Sequence, residues 1–234
     1  MLQSTIYTAS QHGVQQFEVL EKVSRNIANL NTTGYKAQRF QQVMDIHGRV
    51  TGVVRTDTSP GMSVITRRPL DVAIEGSGYF MVTQPDGKVA YTRDGSFTVD
   101  ANRYLVTQQG DLVGTGIQIP THYDKLMIFP DGTVQVREKP NEQTKTLGKL
   151  TLVAFPNPEG LASEGANKLT ETAESGAPLH QAHAKLAQGK LERSNVAIPD
   201  QIETVLRLNA GVISNFRIIK FSDDLFRQAV NLKQ

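Results

Sequence analysis

The chain has no cysteine and no tryptophan. Disulfides and thiolate metal sites are therefore excluded, and the compartment is left open. Aromatic residues make up 6% and hydrophobic residues 38% of its 234 positions, a modest supply for one core. The net charge is +2 with both signs interspersed. There is no basic block and no interleaving of basic with aromatic residues, so no nucleic-acid footprint is expected. No apolar run approaches the roughly 20 residues that span a bilayer. The opening stretch MLQSTIYTASQHG lacks a basic n-region and an apolar h-region. It does not read as a cleavable signal peptide, so export, if it occurs, is expected to leave it intact.

What the chain does have is a long periodic stripe near its C-terminus. Alternating steps of four and three pick out Ile198, Ile202, Val205, Asn209, Val212, Phe216, Ile219, Asp223, Phe226 and Val230, eight of them apolar. This 3.5-residue repeat predicts one long helix with a narrow seam. Pro199 suits a first turn, and Gly211 is its weak interior point. A second stripe runs through Leu2, Ile6, Ala9, Gly13, Phe17, Leu20, Val23, Ile27 and Leu30 with polar residues between, and predicts an amphipathic N-terminal helix. The cluster Asn29 to Lys36 stops it, with Gly34 available for a left-handed turn.

Between the stripes the period changes. From 37 to 68 the apolar residues scatter, which predicts an extended linker with one short strand around 62–65. From 69 to about 155 the period is two. Short strands are predicted at 70–74, 79–83, 88–92, 96–99, 104–107, 117–119, 126–129, 134–137 and 149–155. Pro85-Asp86-Gly87, Asp94-Gly95, Asp100-Ala101-Asn102, Gln109-Gly110-Asp111 and Pro130-Asp131-Gly132 supply the turns. Loops with a few edge strands are expected over 156–190.

The predicted fold class is α+β. The terminal helices form a helical hairpin or coiled coil, and the centre is a mostly antiparallel, sandwich- or barrel-like β-domain. The expected domains are 1–36 plus 194–234 for helical assembly, 37–68 as linker and 69–193 as β-domain. Two helices cannot hide both seams together with Leu206, Leu208, Ile213, Ile218 and Leu225, so neighbouring copies or partners are expected to supply the missing cover. Asn209 and Asp223 interrupt the seam, either as register-fixing polar residues or as positions facing solvent.

Little points to catalysis. His180 and His183 have a spacing that could place two ligands together, but no third ligand lies near. Gly76-Ser77-Gly78 precedes a strand rather than a helix and reads as a turn, not a phosphate cradle. The Asp-Gly pairs read as turn formers. Asp223 and Asp224 point about 100° apart on a helix and cannot share a proton. No nucleophile–base pair presents itself, so no catalytic, cofactor or metal residue is assigned. A carbohydrate- or ligand-binding β-domain on an oligomerising stalk would need an aromatic platform, with Tyr79, Phe80, Tyr91, Phe97 and Tyr104 as candidates.

Several segments carry a resemblance that spans nearly the whole chain. They are Ile27–Lys36 (IANLNTTGYK), Arg68–Phe80 (RPLDVAIEGSGYF), Tyr91–Phe97 (YTRDGSF), Leu105–Gly110 (LVTQQG), Gly148–Leu150 (GKL) and Leu191–Val196 (LERSNV). With these the chain resembles the flagellar basal-body rod proteins of the rod–hook axial family. The resemblance implies a non-enzymatic building block without cofactor. It implies export by the flagellar type III apparatus, terminal helices stacked into the inner tube of the rod, and a β-domain facing outward. The rod crosses the periplasm and transmits motor torque. The implied partners are other copies and other rod proteins, with no nucleic acid and no membrane insertion. On this reading the assembly seam is Ile6, Phe17, Leu20, Ile27, Ile202, Val205, Asn209, Val212, Phe216, Ile219 and Phe226. The signature residues are Asn29, Asn31, Thr33, Gly34, Tyr35, Lys36, Asn195 and Asn215. The short stretch between Lys36 and Pro69 favours a proximal rod member, with a distal-rod or hook-type member as the alternative. The family's C-terminal Gln-Arg-Ala-Tyr-Glu-x-Asn is replaced by Asn209–Asn215 (NAGVISN), in which Asn215 alone matches.

Overall fold

A computed structural model describes residues 2–44, 50–140, 142–180 and 184–231; within it, side chains are described outside 2–12, 42–44, 50–51, 226 and 229–231. The chain divides into two compact units. One holds residues 1–29, 38–56 and 196–234. The other holds 30–37 and 57–195.

The first unit contains both predicted helices. Helix α1 spans Leu2–Ala28 and helix α2 spans Ile198–Asn231. Pro199 and Asp200 occupy the first turn of α2, where a missing N–H and a negative charge are both tolerated. At the far end of α1 the Asn29 side chain donates to the Arg25 carbonyl at 2.9 Å, satisfying one of the carbonyls that a helix end leaves open. The helices run antiparallel. Gln16 meets Gly211 and Asn215, whereas Asn26, further along α1, meets Gln201, earlier in α2.

The same unit holds a hairpin where the sequence predicts linker. Strands Gln38–Met44 and Val50–Thr56 pair antiparallel, from Gln38 opposite Thr56 to Met44 opposite Val50. The apolar signal here is thin because one aromatic serves both strands. The Phe40 ring lies over Gly52, where a Cβ would come within 2.1 Å of it. Asn26 ties the hairpin to both helices. Its amide donates to the Gln38 carbonyl at 2.8 Å and to Gln201 Oε1 at 3.0 Å, and its own oxygen accepts from the Gln38 N–H at 2.9 Å.

Among the described residues the second unit is antiparallel β-structure with one short 3-10 helix, Pro158–Gly160. Strand Tyr79–Thr83 lies in a nine-stranded sheet and pairs with Val89–Thr92, Leu112–Val113 and Leu152–Ala154. A three-stranded sheet joins Lys125–Ile128, Thr133–Arg137 and Lys145–Lys149. Val72–Glu75 pairs with Lys185–Gln188, and Ser63–Ile65 with Lys190–Glu192. The alternation along Tyr79–Thr83 sends Phe80 and Val82 into the main core and Tyr79 and Met81 to a smaller cluster with Tyr91, Val153, Phe155 and Leu161. The turns work as their residues predict. Asp86, Asp94 and Asp131 each accept from the backbone N–H two residues on. The segment 117–119 differs from its expectation. It makes a single bridge, Gln118 to Tyr104, yet Ile117 and Ile119 are buried as a strand's would be.

Candidate assembly surface and buried charge clamp

The helix pair buries few side chains, and most of those are polar. Among the described residues of α2 the buried ones are Gln201 and Ser222, and on α1 they are Val23 and Asn26. The apolar seam opens outward instead. Phe17 is 75% exposed and Phe216 68%. A groove of about 560 Å³ brings together Phe17 and Leu20 from α1 with Val205, Asn209, Val212, Phe216 and Ile219 from α2, joined by Val14 and Leu208. Ile27 and Ile202 are exposed and lie outside the groove lining. Ile6 and Phe226 fall outside the residues whose side chains are described. Among the described residues ten large apolar ones of α2 are exposed, including Leu206, Ile213, Ile218, Phe221 and Leu225. A helix apolar on so many faces belongs inside something. Of the two interruptions, Asn209 lines the groove, and Asp223 accepts from Arg227 at 3.0 Å one turn on as an ordinary surface pair.

The signature residues build a separate device inside the β unit. Glu192 is its centre, with its carboxylate buried. One oxygen accepts from Lys36 Nζ at 2.5 Å and from the Gly61 N–H at 2.8 Å, and the other from Arg93 at 3.0 Å. Lys36 donates also to the Ser59 carbonyl at 2.6 Å, and Arg93 to the Gly76 carbonyl at 2.9 Å while lying over the Tyr79 ring. Each of the three charges is thus paired and hydrogen-bonded, the condition under which burial is tolerated, although the Arg93 Nε itself has no hydrogen-bond partner. Burial holds the Lys36 ammonium below its ordinary value; Glu192 opposes that shift by hydrogen bond and charge, and Arg93 reinforces it. Burial raises the Tyr79 hydroxyl, with Arg93 opposing.

Glycine makes this approach possible. Gly34 has φ +67°, and a Cβ there would lie 2.6 Å from the backbone of Arg93 and Asp94. Its N–H donates to the Glu192 carbonyl at 2.8 Å. Thr33 donates to Asp94 at 2.8 Å, and Asn31 accepts from Arg193 at 3.0 Å. The Tyr35 carbonyl accepts from the Asn195 N–H at 3.4 Å. The Asn195 side chain accepts from the Ala37 N–H at 2.7 Å and donates to the Asp57 carbonyl at 2.9 Å, so one amide ties three passes of the chain. Arg93 and Glu192 stand inside motifs visible in the sequence, but nothing local marks them as a pair. They lie 99 residues apart. Asn26 and Gln201 carried no signal beyond a polar residue on a helix. Asn29 and Asn215 belong to the helical unit, as helix stop and as partner of Gln16.

The rival chemistries find little support. Tyr79, Phe80, Tyr91 and Phe97 are buried, with Phe80 and Phe97 edge to face at 5.0 Å, so they form core rather than a platform. His180 is exposed on strand Leu179–His180, and His183 lies outside the described residues. Among the described residues no cluster of three metal-ligating side chains occurs, and no helix is long and apolar enough to cross a membrane.

Known proteins are similar to this chain over its whole length. A family model described as the flagellar hook protein FlgE/F/G D1 domain matches residues 73–136. The flagellar basal-body rod protein FlgG of Borreliella burgdorferi is 33% identical across 100% of both chains. The chain belongs to the flagellar basal-body rod protein family. FlgG of Caulobacter vibrioides is 32% identical over 99% of the rod protein and 100% of its own length. FlgF of the same organism is 32% identical over 90% of each. The rod protein is thus a structural subunit of the flagellar rod and not an enzyme. The sequence reading that favoured a proximal member is supported less well than its alternative, since the full-length matches carry the FlgG name.

Proposed function

We propose that this rod subunit is of the distal, G type, and that it assembles by seating a terminal helix of a neighbouring copy in the groove between α1 and α2. The observation that carries the assembly reading is the inverted burial of α2 among its described residues: polar Gln201 and Ser222 buried, ten large apolar residues exposed. Burying one such side chain contributes about 1.5–3 kcal/mol, so a neighbour that covers several supplies the stability that α2 lacks alone. Contacts of this kind are heterologous. Where the rotation between copies does not close a ring they build a helical tube, and torque is then resisted by many seam contacts together. In this reading 1–36 and 194–234 form the assembly part, 69–193 the outer β-domain, and 37–68 the contact with axial neighbours. Export through the flagellar type III apparatus belongs to the same proposal.

The test is a charge placed in the groove. Phe216→Asp or Leu20→Asp is expected to abolish incorporation into basal bodies while the β unit keeps its near-ultraviolet spectrum. Normal incorporation of either variant would overturn the groove assignment. Electron cryo-microscopy of isolated basal bodies locates the subunit. A position at the proximal end would overturn the G-type assignment without touching the groove.

A further inference from the structure

We infer that Gly211 is a notch that sets the register of the helix pair by admitting the side chain of Gln16. It is the sole glycine of α2. A Cβ at this position would stand 2.5 Å from Gln16 Nε2, so the amide occupies the space a side chain would take. Gln16 Oε1 accepts from Asn215 Nδ2 at 3.4 Å, one turn further along α2. A second polar contact across the pair is Asn26 to Gln201 at 3.0 Å. Asn26 lies ten residues beyond Gln16 on α1, and Gln201 lies ten before Gly211 on α2. Both contacts therefore obey a single antiparallel register.

Apolar packing alone does not enforce that register. The large side chains stand open in the groove, and a stripe that repeats every three or four residues looks much the same after a slide of one turn. The polar contacts do not. A slide of four residues sets Gln16 against Arg207 or Asn215, each carrying a Cβ, and leaves a part-buried amide without its space or its partner. A glycine that weakens the helix is thus kept as a positional mark, in the way a single polar residue fixes register in coiled coils. The groove's walls come from both helices, Phe17 and Leu20 facing Val212 and Phe216, so the register decides its shape. That last consequence rests on the assembly reading; the register itself does not.

The absence of cysteine makes the test clean. Ser24→Cys and Lys220→Cys introduce two exposed thiols into the full chain, one on each helix, for spin labels. Pulsed electron paramagnetic resonance is expected to give one narrow distance. Gln16→Leu and Gly211→Ala are expected to broaden it or move it by up to about 5.4 Å, one helical pitch. Gln16→Glu, which keeps the length and the acceptor for Asn215, is expected to retain the narrow distance. Circular dichroism checks that helix content is kept, which Gly211→Ala favours by propensity. A distance unchanged in both disruptive variants overturns the notch, even if stability falls. A displaced distance with normal rod incorporation keeps the notch and removes the assembly reading.

Discussion

In the β unit the largest fully buried side chains are apolar, Phe80, Phe97, Leu105, Ile117 and Val134 among them, and the buried charges of Lys36, Arg93 and Glu192 are paired within the unit. In the helical unit Asn26, Gln201 and Ser222 are buried while Phe17, Phe216 and Phe221 face outward. Ordinary folding physics accounts for most of the β unit: apolar area leaves water and buried charges find partners, with the Asp71 carboxylate and Arg93 Nε left without a hydrogen bond. It accounts for the helical unit only as one part of a larger object. A chain that spends its aromatic and aliphatic residues on an outer face, and holds its helices together with amides, keeps its strongest contacts for another molecule. The difference separates what makes this subunit fold from what makes it assemble.

The sharpest way to break the contrast is to damage the sealed unit. Glu192→Gln leaves Lys36 and Arg93 buried with no anion between them. The expected loss is about 3–5 kcal/mol, the usual cost of removing one partner from a buried ionic group. It would be read as a shifted midpoint in urea, followed by a β-sensitive signal. A shift below 1 kcal/mol would mean that the cluster is wetter than its burial implies.

A smaller effect is expected from Gly34→Ala. The left-handed conformation costs an L-residue about 1–2 kcal/mol, and the Cβ adds a clash against backbone, which cannot swing aside. Calorimetry on the full chain gives the comparison.

Much of this contrast was legible in the sequence, and the rest was hidden for definite reasons. The two stripes from Leu2 and from Ile198 gave the helices, because a 3.5-residue period over so many turns has no other local reading. The Asp-Gly turns gave the β unit, since each carboxylate bonds its own backbone. The hairpin at 38–56 stayed hidden because Phe40 over Gly52 replaces the alternating pattern. The clamp stayed hidden because Lys36, Arg93 and Glu192 are brought together by tertiary structure alone. The seam residues were legible as a set, and so was their shortage of cover; the amide contacts between the helices were not, since period fixes which residues share a face and not what that face meets.

The clamp also has a pH signature. Lys36 titrates below its unfolded value of 10.5. Between its folded pKa and 10.5 the unfolded chain binds more protons at this site, so stability rises with pH across that window. Lys36→Met lacks this rise. The groups around Lys36 that bear on it are Glu192, Arg93 and Asp57. Tyr79 acts in the opposite sense, losing stability as pH climbs through its raised value, but both chains share that loss. The difference between wild type and Lys36→Met is therefore expected to move in favour of wild type as pH approaches 10.5. Paired urea titrations measure it, and a flat difference would place Lys36 in water.

The smallest effect decides most about the comparison. Leu206→Ala removes the same atoms as Leu105→Ala, from a residue 63% exposed rather than 0%. The core change is expected to cost about 2–5 kcal/mol, because it removes buried contacts and leaves a cavity. The helix change is expected to stay within about 0.5 kcal/mol in the isolated subunit, since the side chain already faces water and alanine is the better helix former. If Leu206→Ala cost as much as Leu105→Ala in a dilute, monomeric sample, α2 would already be covered by its own chain. The outward seam would then have no vacancy for a neighbour to fill. If the cost is near zero in the subunit but rods fail to form, the side chain contributes to assembly and not to folding.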